Sequence, residues 1–279
     1  MDEPVEESDN AHDASEPCVV LCDLDGVIWL AHQPIPGSVE AIATLRAAGH
    51  RVLFVTNNSS ARVEVQEASL DSIGIPAAGD VLTSATAAAL LIEPGERVMV
   101  CGGEGVAQAI VDRGAVVADS ASAVVDAVVV GFHRTFDYEE MLVASRAARN
   151  GARLIGTNDD ATYPTPDGPI PGGGAILASI VTAAGVVPIV AGKPHGPMAD
   201  LVKATIGEAA AKRAVMVGDR PETDGLMAAT LHCRYAHVES GITPPGSVVA
   251  PRPDIVAADL AGVAKVLLAE GMASGKLLA

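Results

Sequence analysis

The chain has 279 residues, about half of them apolar, with three Phe, three Tyr, one Trp and a formal charge of −17. That length suffices for one large domain or two modest ones. With so few aromatics and only 18 Lys and Arg, neither a base-stacking surface nor a grip on a phosphate backbone is available, so nucleic acid is not an expected partner.

Residues 1–16 carry seven acids, no Lys or Arg and no apolar block. That is the composition of a solvated tail and not of a secretory signal. A short apolar run at 18–22 then predicts a strand, followed by helical periodicity over 37–48, a strand at 51–55 and a helix over 61–73. Residues 81–185 alternate in the same way, with strands near 97–101, 126–130 and 152–156 and helices near 104–113, 138–149 and 174–184. Strands at 188–191 and 214–217 and helices over 197–206 and 222–231 follow. Such alternation implies a doubly wound parallel α/β sheet covered on both faces, with ligands at the carboxyl ends of its strands. The expected division is a core of 17–80 and 186–279 with an inserted α/β unit at 81–185. Gly168 to Gly192 has no charge over 25 residues, but Pro169, Pro171, Gly172–Gly174, Gly185 and Pro188 break it into a buried helix and a short strand, so no membrane span is expected.

The four cysteines, Cys18, Cys22, Cys101 and Cys233, form no CxxC pair and have no metal-type spacing with His, which predicts buried free thiols in a reducing cytoplasm. His133 and His195 are expected to be structural or surface residues. The glycines at 102, 103 and 105 miss the GxGxxG spacing, so a tight strand-to-helix turn is expected there and not a dinucleotide site. No Walker A motif is present.

Four polar clusters each follow an apolar strand: Asp23-Leu24-Asp25-Gly26-Val27, Thr56-Asn57-Asn58-Ser59-Ser60, Gly192-Lys193-Pro194, and Gly218-Asp219-Arg220-Pro221-Glu222-Thr223-Asp224. Each alone has an ordinary explanation. The Asp pair is also found in solvated turns, Lys193 could snorkel at the surface, and Asp219 could cap the following helix. Together, in this order and with PIPGS at 34–38 and TNDDATYPT at 157–165, they resemble the haloacid dehalogenase superfamily, and specifically its class IIA capped phosphatases. The resemblance runs from about Cys18 to Leu268. It implies a Rossmannoid core with an inserted cap and a magnesium-dependent phosphomonoesterase acting on small phosphorylated metabolites through an aspartyl-phosphate.

The same resemblance makes Asp23 the nucleophile, Asp25 the general acid and base, and Lys193 the cation between Asp23 and substrate. Thr56, Asn57 and Asn58 would hold the phosphoryl oxygens, and Asn158 and Asp160 would line the site from the cap. Mg²⁺ would be held by Asp23, the Asp25 backbone carbonyl and Asp219, with Asp224 in support. A homodimer through the cap is implied by the habit of the family. The competing expectation is a phosphate- or nucleotide-binding regulatory protein with the same pocket and no turnover. Two departures stand out. Residues 232–240 alternate polar and apolar, which predicts a half-exposed strand, and Gly225 should weaken the helix it enters by about 1 kcal/mol relative to Ala.

Overall fold

The computed structural model describes residues 17–30, 32–119, 124–165, 167–244 and 246–273, so the acidic run at 1–16 lies outside the described residues. In chain order the elements are β1 (Val19–Cys22), the ribbon β2 (Trp29–Leu30) and β3 (Gln33–Pro34), α1 (Ser38–Ala47), β4 (Arg51–Thr56), α2 (Val63–Ser72), β5 (Val81–Thr83), α3 (Ser84–Ala89), β6 (Arg97–Cys101), α4 (Glu104–Asp112), β7 (Val116–Val117), β8 (Ala127–Val130), α5 (Tyr138–Arg149), β9 (Arg153–Gly156), the ribbon β10 (Thr162–Tyr163) and β11 (Ile170–Pro171), α6 (Gly173–Ala184), β12 (Ile189–Val190), α7 (Gly196–Ile206), α8 (Glu208–Lys212), β13 (Val215–Gly218), α9 (Leu226–Leu231), β14 (Arg234–Val238), β15 (Ile255–Ala257) and α10 (Leu260–Ala273).

The core sheet runs β15-β14-β13-β1-β4-β5 and the cap sheet runs β12-β9-β8-β6-β7. Every pairing in both is parallel. The chain starts at β1, winds outward through β4 and β5, and returns on the other side through β13 to β15. The direction of winding therefore reverses beside β1, which opens a crevice at its carboxyl end. Cys22 is in register with both Val217 and Phe54. Asp23, one residue further on, is thus delivered into that crevice between the ends of β4 and β13.

Two-residue periodicity sorts β1 onto two apolar cores. Val20 and Cys22 pack under α1 and α10, in a cluster with Ile42, Leu45, Val263 and Leu267. Leu21 faces the opposite way, into a cluster that continues through Leu53, Val55 and Ala88 to Val98, Val106, Val129 and Ile155 of the cap. Core and cap therefore share one apolar layer, in which each fully buried Val, Leu or Ile contributes about 1.5–3 kcal/mol.

Three expectations are corrected. The boundaries at 80/81 and 185/186 do not coincide with the sheets, since β5 pairs with β4 in the core and β12 pairs with β9 in the cap. A short apolar strand carries no local record of which sheet it joins. The segment expected to be half-exposed forms β14, in which Tyr235, Ala236, His237 and Val238 are all buried. Its polar groups bond to one another and to neighbours: the Tyr235 hydroxyl lies 3.0 Å from His237 Nδ1, the Asp254 carboxylate accepts from Tyr235 N–H, and Arg234 forks onto Glu270 at 2.8 and 2.9 Å. Gly225 is also no weak point. It ends a five-residue π turn, Pro221–Gly225, and a Cβ there would lie 2.9 Å from Pro251 and 3.0 Å from the Tyr235 ring. Among the described residues no helix is long and apolar enough to cross a membrane.

Candidate active site

Asp23 leaves β1 with its N–H donated to the Val217 carbonyl, and its Oδ1 accepts from Leu24 N–H at 2.8 Å. The Lys193 ammonium lies 2.8 Å from that same Oδ1 and 2.7 Å from Asp224 Oδ1. Lys193 is 1% exposed, so it is a fully buried cation set between two carboxylates. Burial works against its charge, but Asp224 and Asp23 outweigh that and hold its pKa above the usual lysine value.

Asp25 is tied at Oδ1 to the Trp29 indole N–H, 3.1 Å away. Burial, then the charge of Asp23, push its carboxyl up to about 7, so it is partly protonated near neutrality. Burial, then Asp23, likewise raise Asp219 to about 6. Asp219 Oδ2 accepts from Ile242 N–H at 2.7 Å, and its backbone carbonyl accepts from the Thr243 hydroxyl. It is therefore held by the loop after β14 and does not cap the following turn. A Cβ on Gly26 would fall 2.6 Å from the Asp219 carboxyl, and Gly26 has φ +88°, so glycine is required there twice over.

Asp219 Oδ1 is buried without a hydrogen-bond partner, and ligand atoms of Asp23, Asp219 and Asp224 lie within 4.8 Å of one another. A buried, unpartnered carboxylate oxygen in an all-oxygen donor set fits a hard divalent cation. Asp23 Oδ2 and Asp219 Oδ1 are the atoms best placed to hold it, because Asp224 Oδ1 is already occupied by Lys193. A linked prediction concerns pH. The raised pKa values of Asp25 and Asp219 mean that the metal-free native state binds more protons than the unfolded chain between about pH 4 and 7. Their contribution to stability is present below about pH 4 and lost as the pH rises through 6 to 7. In EDTA the melting temperature should therefore fall across that window, and Mg²⁺ should restore it most at the upper end. A Tm that rises with pH in EDTA contradicts this assignment.

Asp23, Asp25, Thr56, Asn57, Asn58, Asn158, Asp160 and Lys193 all line one cavity of about 550 Å³ including its mouth. Several of these side chains are nevertheless committed elsewhere. Asn57 donates through Nδ2 to Asp160 and to the Lys193 carbonyl, and its Oδ1 accepts from Lys193 N–H at 2.8 Å. Asn158 donates to the Asn57 carbonyl and accepts from Asp160 N–H, and Asn58 Oδ1 holds Ser60. Asn57 and Asn158 thus tie core, cap and Lys193 together. The Thr56 hydroxyl accepts from Asn58 N–H at 3.1 Å and keeps its own proton to donate.

Sequence reasoning missed Phe132 and Arg220 as cavity-lining residues. Phe132 stacks on Tyr163, with centroids 5.2 Å apart and planes 15° from parallel. The available signal was one of three Phe in the chain standing directly after the strand run VVVG. The glycine run after β6 marks the seam between cap and core: a Cβ on Gly105 would clash with the Ala61 carbonyl, and one on Gly103 would meet the Ser60 carbonyl at 2.5 Å. His195 lies at the surface, 2.9 Å from Asp159.

A buried lysine–aspartate pair at the switch point of a doubly wound sheet, beside a cation-ready carboxylate cluster and under an α/β cap, defines a capped phosphohydrolase. The model of the haloacid dehalogenase-like hydrolases matches residues 20–115, a second HAD-hydrolase-like model matches 190–276, and the chain belongs to that family. An acid sugar phosphatase of Staphylococcus saprophyticus is 35% identical over 80% of this chain and 86% of its own. The structure superposes on p-nitrophenyl phosphatase from Archaeoglobus fulgidus with a TM-score of 0.83, at 28% identity over 90% of this chain and 99% of the other. The glycerol phosphate phosphatase of Mycobacterium tuberculosis in complex with magnesium gives 0.81, at 33% identity over 91% of this chain and 79% of the other. Within the family this chain is a class IIA capped phosphatase, a phosphoric monoester hydrolase.

Proposed function

We propose that the enzyme hydrolyses small sugar or polyol phosphates by way of a phosphoryl group carried on Asp23. The observation that carries this reading is the contact of Asp23 with the buried Lys193 ammonium, 2.8 Å, in the wall of the cavity that the cap covers.

In the first half-reaction an Asp23 carboxylate oxygen forms a bond to phosphorus while the bond from phosphorus to the ester oxygen breaks. Asp25 gives its proton to the departing alkoxide. In the second half-reaction Asp25 removes a proton from water, the water oxygen bonds to phosphorus, and the Asp23–phosphorus bond breaks to release inorganic phosphate. Thr56 donates its hydroxyl to a phosphoryl oxygen. The Asn57 N–H, which has no hydrogen-bond partner among the described residues, is the second donor. Lys193 keeps the approach of a dianion to Asp23 from being repulsive. Mg²⁺, when bound by Asp23, Asp219 and the Asp25 carbonyl, offsets the charge of the phosphoryl oxygens.

For the alcohol portion the cavity offers Asp160 as an acceptor, Arg220 as a donor and the Phe132–Tyr163 pair as an apolar wall. That mixture suits a hydroxylated carbon chain or ring. The names of the acid sugar phosphatase and glycerol phosphate phosphatase relatives point the same way. The four cysteines are free, in keeping with a cytoplasmic enzyme. The test is acid quenching during turnover of a labelled sugar phosphate. An acid-stable, hydroxylamine-labile phosphoprotein is expected, along with higher kcat/KM for sugar and polyol phosphates than for nucleotides. Turnover with no trappable phosphoprotein would remove the covalent step, and a preference for nucleotides would remove the substrate class.

A further inference from the structure

We propose that the cap holds a second metal site, separate from the Asp23 centre, in which Cys101, His133 and Glu140 bind a thiophilic divalent ion of the zinc class. The spacing of Cys and His along the chain gave no hint of it, because the site is assembled by parallel strand pairing. Cys101 ends β6, in register with Val130 at the end of β8, and Gly131 N–H donates to the Cys101 carbonyl at 2.8 Å. His133 follows two residues later. Glu140 sits in the first turn of α5, where its N–H is capped by Asp137 at 2.9 Å. One sulfur, one nitrogen and one oxygen from these three side chains lie within 4.8 Å of one another.

The imidazole is oriented as a metal-ligating histidine is. His133 Nδ1 lies 3.1 Å from the Gly131 carbonyl, which can only accept, so Nδ1 carries the hydrogen. Nε2 is left with its lone pair, 2.8 Å from Glu140 Oε2. Two acceptors at that distance need a proton or a metal ion between them. A histidine whose other nitrogen donates to a backbone carbonyl is the usual form of a metal-ligating imidazole. Without an ion the Cys101 thiol donates to the Glu140 carboxylate that also faces His133, so all three side chains already converge on one point, and an ion of the zinc class there takes thiolate, imidazole and carboxylate together and keeps a fourth position for water. Mg²⁺ prefers oxygen alone, so the two centres should sort their metals by hardness.

The Cys101 thiol is fully buried, while the His133 and Glu140 side chains are 10% and 26% exposed, which leaves an ion a way in. Burial, then the Glu140 carboxylate, push the Cys101 thiol up, so without an ion it stays protonated. Binding therefore displaces the thiol proton, and affinity should rise with pH. His133 directly follows Phe132, so an ion here would brace the loop that forms the aromatic wall of the active-site cavity.

The experiment is titration of the full-length enzyme, saturated with Mg²⁺, with Co²⁺ as a spectroscopic stand-in for zinc. One Co²⁺ per chain with a thiolate-to-cobalt charge-transfer band is expected, and Zn²⁺ should bleach it. The band should vanish in Cys101→Ser and persist in Cys22→Ser and Asp219→Asn, which alter the Asp23 centre. Glu140→Gln keeps shape at a partly exposed position and should weaken Co²⁺ binding at least about tenfold. It provides a readout even if Cys101→Ser does not fold. The absence of a thiolate band in folded wild type, a band that survives Cys101→Ser, or unchanged affinity in Glu140→Gln would each overturn the proposal.

Discussion

Asp23→Asn should fold, melt close to wild type or above it, and turn over p-nitrophenyl phosphate at least about 10⁴-fold more slowly than wild type in Mg²⁺. The amide keeps the shape of the carboxylate and can still accept from Leu24 N–H, but it neither forms a stable acyl phosphate nor carries the charge that holds Lys193. Stability should be spared because removing one charge from a crowded buried cluster relieves repulsion among Asp23, Asp25 and Asp219, and this compensates for the lost contact with Lys193. Steady-state hydrolysis with Mg²⁺ and with EDTA, alongside a thermal melt, measures both parts. Residual turnover within tenfold of wild type would place the nucleophile elsewhere. A folded but unstable variant would mean that the Lys193–Asp23 contact matters more to the fold than to the chemistry.

Lys193→Met should have the larger structural effect. It removes the ammonium between two buried carboxylates that lie 2.8 and 2.7 Å from it, leaving Asp23 and Asp224 without that cation. Removing one partner from a buried ion pair costs about 3–5 kcal/mol. The destabilisation should be greatest in EDTA at alkaline pH and smaller at acid pH, where the carboxylates take up protons. Activity should be lost under all of these conditions, because a dianion then meets Asp23 unshielded. Urea unfolding at two pH values, with and without Mg²⁺, checks the stability part. Wild-type stability in EDTA at alkaline pH would show that Lys193 is not the group holding the cluster together.

Most of the candidate site was legible in the sequence because its residues are punctuation. Asp23, Thr56, Lys193 and Asp219 each interrupt an apolar strand, and a strand end in a parallel sheet is where ligands gather. The helices over 138–149 and 197–206 were equally clear, since their periodicity is local. What could not be read depends on pairing at a distance. The strand at 189–190 has the same local composition whichever sheet it joins, and the buried polar residues of β14 look solvent-facing until Tyr235 is placed beside His237 and Arg234 beside Glu270. Asn57 shows the same limit within the site. A hydroxyl-amide run suggested a phosphate ligand, but the fold commits the Asn57 side chain to Lys193 and Asp160. Cys101 and His133, 32 residues apart, become neighbours only through the register of β6 with β8.

The way the chain returns from the cap also limits how such enzymes can be rebuilt. It leaves the cap sheet at Val190 and reaches Lys193 only three residues later, with Ala191 N–H still bonded to the Gly156 carbonyl of the cap and Lys193 N–H already bonded to Asn57 of the core. This junction has no slack, so it is not a linker in which an exchange of caps can be spliced freely. A chimaera joined upstream of β12 would bring a foreign edge partner to β9, and one joined downstream of Lys193 would import a foreign lysine geometry. New specificities are therefore easier to reach by changing the loops that face the cavity, around Phe132 and between Asn158 and Pro164, than by exchanging the whole cap.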